Sequence, residues 1–148
     1  MSTYTQILYQ IVFSTKYRDK VLIAEHRQEL FRYIWGIIHA KQCVVYQING
    51  VEDHIHIATH LHPSVALASL VKDVKVASSI WIKEQNLFPG FIGWQEGYGA
   101  FTYTYRHKDM IVNYIKKQET HHHASTFKDE YIRLLHEHGV SFDEKYLQ

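Results

Sequence analysis

Apolar and polar residues alternate over residues 5–14, with Ile7, Tyr9, Ile11 and Phe13 on one side and Gln6, Leu8, Gln10, Val12 and Ser14 on the other. That period of two predicts a strand with one strongly apolar face. Over 24–41 the spacing changes. Leu30, Ile34, Ile37 and Ile38, with Phe31 and Trp35 beside them, recur every three or four residues and predict a helix. Val44, Tyr46 and Ile48 alternate again and run into Asn49-Gly50, a turn signal that predicts a hairpin, closing there or a few residues later, into a strand carrying His54 to His60. Pro63 and Ser64 predict the start of a second helix, with Ser64 as its cap and Leu67, Leu70, Val71, Val74 and Trp81 as its buried stripe.

Four of the seven glycines, together with Pro89, fall in 86–99, which therefore reads as loop; Trp94 and Tyr98 stand in it as candidate stacking groups. Phe101, Tyr103 and Tyr105 alternate with Thr102 and Thr104 as a fourth strand. A helix around Tyr114 follows. A last helix begins near Ser125 or Thr126, carries Phe127, Tyr131, Leu134 and Leu135 on one side, and stops at Gly139. The order strand, helix, strand, strand, helix, strand, then two helices predicts an α+β protein. Its architecture is a ferredoxin-like βαββαβ sandwich with an antiparallel sheet and additional C-terminal helices. No repeat or linker interrupts the pattern, so 1–148 reads as one domain.

A formal net charge of +1 supplies no strong global field, so contact with nucleic acid must rest on local patches. Lys16, Arg18 and Lys20 interleave with Tyr17 in a basic turn. Lys72 and Lys75 lie off the stripe of the second helix, and Arg106 opens the basic triplet before the Tyr114 helix. These six cations are the candidate DNA-contacting residues. The lone Cys43 excludes an internal disulfide and a thiolate zinc cage, as expected in a reducing cytoplasm, and reads as a small buried strand residue. No signal-peptide pattern and no apolar run of membrane-spanning length is present, which predicts a cytoplasmic protein without a membrane partner.

The candidate chemistry lies in His54-Ile55-His56 and in Tyr114 with Gln118. On a strand, residues two apart share a face, so both imidazoles point the same way and can share a metal. On a helix, residues four apart stack, which puts a phenol beside an amide oxygen. Spacing alone leaves two bland alternatives: structural histidines, and a surface Tyr–Gln pair. His60 and His62 continue the alternation close to Pro63 and rank second, while His121, His122 and His123 read as a solvated helix end.

With Asp53-His54-Ile55-His56, Tyr114-Ile115-Lys116-Lys117-Gln118 and Trp94-Gln95-Glu96-Gly97-Tyr98-Gly99-Ala100-Phe101 side by side, the chain resembles the TnpA-type HUH transposases, the small single-tyrosine insertion-sequence enzymes. The likeness runs from the Phe13-Ser14-Thr15-Lys16-Tyr17-Arg18 stretch to Asp143-Glu144-Lys145-Tyr146-Leu147. It implies His54, His56 and Gln118 as ligands of magnesium or manganese. Tyr114 would be the nucleophile that becomes joined to the 5′ phosphate of cut single-stranded DNA. It also implies a homodimer in which the tyrosine helix of one subunit often completes the histidine site of the other, acting on DNA hairpins at element ends. Two other readings remain at this point: a hairpin-binding relative without turnover, and a histidine-rich metal-binding module unrelated to DNA.

Overall fold

The computed structural model describes residues 2–122 and 125–147. Strands β1 (Leu8–Ser14), β2 (Val44–Gly50), β3 (His54–His60) and β4 (Gly99–Tyr103) form one sheet in the order β2-β3-β1-β4. Every neighbouring pair is antiparallel. Helix α1 (Ala24–Ala40) links β1 to β2, and α2 (Leu67–Gln85) links β3 to β4, which completes the βαββαβ order. Three further helices follow: α3 (Lys108–Lys116), α4 (Gln118–His122) and α5 (Phe127–Glu137). The ferredoxin-like sandwich with extra helices is the architecture the periodicity predicts.

The main core lies between one sheet face and the first two helices. Ile11, Phe13, Ile55 and Ile57 meet Leu30, Ile34 and Ile38 from α1 and Leu70, Val74 and Ile82 from α2. The opposite face is covered as well. Leu8 and Ala58 pack against Ile111 and Ile115 of α3, while Val12 and Phe101 pack against Phe127, Leu134 and Leu135 of α5. Covering both faces explains why β1 is buried at almost every position rather than on alternate ones. It also takes the polar residues of that second face, Gln10, Ser14, His54 and His56, out of water, so each needs an internal partner.

Several boundaries differ from the pattern reading for local reasons. The β2–β3 connection takes the longer of its two expected forms, covering Val51, Glu52 and Asp53. Ser64 does not cap α2, whose first residue is Leu67 after Ala66; its hydroxyl instead lies 2.7 Å from His62 Nδ1. Tyr105 leaves the strand for a 3-10 turn, Tyr105–His107. Trp94 is a core residue and not a stacking group: its ring meets Phe13 and Phe91 edge-on, and its indole N–H donates to Ser78 Oγ at 3.0 Å. Cys43 is buried, as expected. No helix among the described residues is long and apolar enough to cross a membrane.

Candidate metal and tyrosine site

β3 lies inside the sheet, where Ser14 and Val12 of β1 pair with His54 and His56, and Asn49 of β2 pairs with His56 from the other side. Flanking strands on both sides hold the two rings in a fixed register, with centroids 5.1 Å apart and no exposure to solvent. Each ring is also oriented from behind. His54 Nδ1 lies 2.8 Å from Asp53 Oδ1, and His56 Nδ1 lies 2.8 Å from Gln10 Oε1. Both partners accept, so each Nδ1 carries the proton and each Nε2 is aimed at the same point. Gln10 is held in turn: its Nε2 donates to Tyr103 Oη at 2.8 Å, and Tyr103 Oη lies 3.1 Å from His138 Nε2.

At that point stands a carboxylate. Glu130 Oε1 lies 3.2 Å from His54 Nε2 and 3.1 Å from His56 Nε2, and Gln118 Oε1 lies 3.3 Å from His54 Nε2. Ligand atoms of His54, His56 and Glu130 all fall within 4.8 Å of one another. Donors about 2.1 Å from an octahedral ion sit roughly 3 Å from their neighbours, so these separations suit one divalent ion. The imidazoles favour zinc and its neighbours, the amide and carboxylate oxygens magnesium or manganese, so the donor set does not by itself choose the ion. The donor chemistry and the Nδ1 partners therefore fit a metal.

Glu130 also reaches the phenol. Tyr114 Oη donates to Glu130 Oε2, Gln118 Nε2 donates to the same oxygen at 3.2 Å, and Arg133 donates to Tyr114 Oη at 3.1 Å. Burial, reinforced by the Glu130 charge, pushes the Tyr114 phenol well above its ordinary range. The phenol is thus neutral and needs a base to become a nucleophile. At His54, burial lowers the imidazole, but the neighbouring Asp53 and Glu130 carboxylates outweigh it and the net shift is upward.

A family model described as IS200-like transposase matches residues 3–118, most of the chain. The chain belongs to the IS200-like transposase family. Among solved structures, this IS200-like transposase is similar to a candidate transposase from Deinococcus radiodurans R1. The two share 22% identity with a TM-score of 0.64, over 80% of this chain and 95% of the other. It is also similar to a REP-associated tyrosine transposase bound to a REP hairpin, at 16% identity and a TM-score of 0.62, over 82% and 74% of the two chains. At these identities the likeness is one of fold. No curated protein matches.

In this IS200-like transposase, four residues singled out from sequence, His54, His56, Tyr114 and Gln118, come together around Glu130. Tyr114 and Gln118 do so across a break and not on one continuous helix: α3 ends at Lys116, Lys117 caps it, and Gln118 begins α4. Asn49 anchors that break, its Nδ2 donating to the carbonyls of Ile115 and Lys116 at 3.0 and 3.1 Å. His60 and His62 stay outside the site; His60 Nδ1 accepts from the backbone N–H of Ile7 at 3.0 Å. The side chains of His121 to His123 lie outside the described residues.

Of the six basic candidates, Lys16, Arg18 and Lys20 follow β1 directly, beside the strand end that pairs with His54. Lys72 and Lys75 stand on α2, across the sheet from the imidazoles. Lys75 is tied to the loop before β4, donating to the carbonyls of Gln95 at 2.8 Å and Gly97 at 2.5 Å. Arg106 is exposed in the turn before α3. Glu130, Asp53, Gln10 and Arg133 had no role in the pattern reading. Only Glu130 carried a signal, since it falls on the buried stripe Phe127, Glu130, Leu134, Leu135, where a carboxylate needs a partner.

Proposed function

We propose that this chain cuts and rejoins single-stranded DNA at hairpin-bearing element ends through a covalent link between Tyr114 and a 5′ phosphate. The observation that carries the reading is the convergence of His54, His56, Gln118, Glu130 and the Tyr114 phenol on one buried point. Membership of the transposase family supports the substrate class, and the hairpin-bound structure of similar fold supports hairpins as the form of DNA.

Tyr114 Oη attacks phosphorus, its proton passing to Glu130 Oε2, and the bond from phosphorus to the 3′ oxygen breaks. The 3′ oxygen takes a proton from water and leaves as a free 3′ hydroxyl. The phosphotyrosine keeps the energy of the broken ester, so attack by another 3′ hydroxyl rejoins DNA without a nucleotide cofactor. Magnesium or manganese held by His54, His56, Gln118 and Glu130 would supply Lewis-acid polarisation of the scissile phosphate. Arg133 donates to the phenol oxygen and its charge favours the phenolate, and Lys16, Arg18 and Lys20 offer phosphate contacts next to the site.

We read 1–148 as one transposase domain working in the cytoplasm, as a homodimer that brings two element ends together. In that reading dimerisation serves to pair the two ends. The test is incubation with manganese and a labelled oligonucleotide carrying a hairpin and a single-stranded flank. A detergent-resistant protein–DNA adduct is expected, absent with chelator and absent in Tyr114→Phe. An adduct of full yield in that variant rules Tyr114 out as the nucleophile; hairpin binding without scission under any divalent ion favours a binding protein.

A further inference from the structure

Beside the imidazole pair lies a small cavity that the cleavage chemistry does not use. It has a volume of about 210 Å³ and is enclosed by the end of β1, the loop before β4, the start of α5 and the 3-10 turn Glu144–Tyr146 with Leu147. That is below the roughly 300–1,000 Å³ of sites for drug-sized ligands, and suits one planar ring system. Its walls are aromatic: Tyr98, Phe127, Tyr131 and Tyr146 all line it. Ser14 and Glu96 add polar groups.

Its position ties it to the site. Phe127, one of its walls, stacks on the His54 ring with centroids 4.1 Å apart. Ser14, another, is the direct cross-strand partner of His54, a separation of about 5 Å between Cα atoms. A ring seated in the cavity would thus lie one side chain away from His54.

The rim carries a cation placed at some conformational cost. Tyr17 and Arg18 both adopt left-handed backbone, at φ 60° and 53°, a state that non-glycine residues hold only where neighbours enforce it. Here the Tyr17 N–H donates to Gln95 Oε1 at 3.0 Å and the Arg18 N–H to the Thr15 carbonyl at 2.9 Å. The turn thus folds Arg18 back, its guanidinium 5.8 Å from the centroid of the Phe127 ring and donating to the Leu147 carbonyl. A cation over the wall of an aromatic slot is the combination that receives a base with its phosphate outside.

We infer that this cavity is a nucleobase subsite, taking the unpaired base of a nucleotide adjoining the scissile phosphate, with Arg18 on the backbone. The inference rests on the single-strand DNA reading, and its test uses Tyr114→Phe protein so that binding is measured without cutting. The probes are four fluorescent homopolymeric 12-mers of dA, dC, dG and dT, and a 12-mer of the same backbone with abasic sites throughout, read by anisotropy at low salt. The best homopolymer is expected to bind roughly ten- to a hundredfold tighter than the abasic strand, the size of one or two base–aromatic stacks. Tyr98→Ala should remove most of that difference without weakening the abasic strand, and Tyr98→Phe should restore it. A single 2-aminopurine in the best strand should lose fluorescence on binding to Tyr114→Phe and keep it with the added Tyr98→Ala change. Equal affinity for abasic and base-bearing strands overturns the subsite and leaves DNA binding standing. No binding by any strand at low salt overturns the DNA reading itself.

Discussion

Tyr114 and Glu130, sixteen residues apart on different helices, share a hydrogen bond in which the phenol donates to a carboxylate whose other oxygen faces both imidazoles. One side chain therefore joins the metal-ligating cluster to the candidate nucleophile. Glu130→Gln keeps the size of the group but loses its charge and its ability to take the phenol's proton. The expected result is a fall of about 10²–10⁴ in the single-turnover rate of adduct formation, measured on denaturing gels with manganese. A faster rate in Glu130→Gln would instead mean that α5 guards the phenol and does not activate it.

Asp53 touches the proposed ion only through His54, whose Nδ1–H it accepts at 2.8 Å. Loss of such an outer partner typically costs about 10–100-fold in metal affinity. Asp53→Asn is expected to weaken manganese binding by that factor in calorimetry, with the far-ultraviolet circular dichroism unchanged. Full affinity in this variant would show that the strand alone orients His54.

The order of strands and helices along the chain, the two linking helices and the imidazole pair were legible because each follows from a period: two on a strand, three to four on a helix. What periodicity does not carry is which polar residue will be drawn to a site from far along the chain. Glu130 could have been noticed, since it lies on the same stripe as Phe127 and Leu134, but its partners are 74 and 76 residues away. Nor does the loop before β4 announce which aromatic turns inward. Trp94 does so because Ser78, on α2, offers its indole N–H an acceptor, while Tyr98 of the same loop stays partly exposed. Ser64 has the chemistry of a helix cap, but His62 takes its hydroxyl and the helix begins farther on.

Gly50 closes β2 where the backbone passes closest to the imidazole strand: a Cβ there would lie 2.4 Å from the His54 carbonyl oxygen and 2.9 Å from Ile55 Cγ2. Backbone cannot yield as a side-chain tip can, so Gly50→Ala must shift the start of β3. A loss of about 1–3 kcal/mol is expected in urea unfolding, with weaker manganese binding because His54 moves. Gly36→Ala is the control. That position is an exposed one in α1 with nothing within 4 Å of an added Cβ, and a gain of about 0.5–1 kcal/mol is expected there.

Ser78 tests the core independently of the site. It is buried, donates to the Val74 carbonyl at 2.6 Å and accepts the Trp94 indole N–H at 3.0 Å. Ser78→Ala strands that indole donor among Phe13 and Phe91, and an unsatisfied buried group costs about 1–3 kcal/mol. Trp94→Phe removes donor and ring together, so Ser78→Ala made in a Trp94→Phe background should cost less than in the parent. Urea unfolding of the four proteins gives the coupling directly. A coupling near zero would mean that the hydrogen bond holds nothing, and that Trp94 is kept inward by its two aromatic neighbours alone.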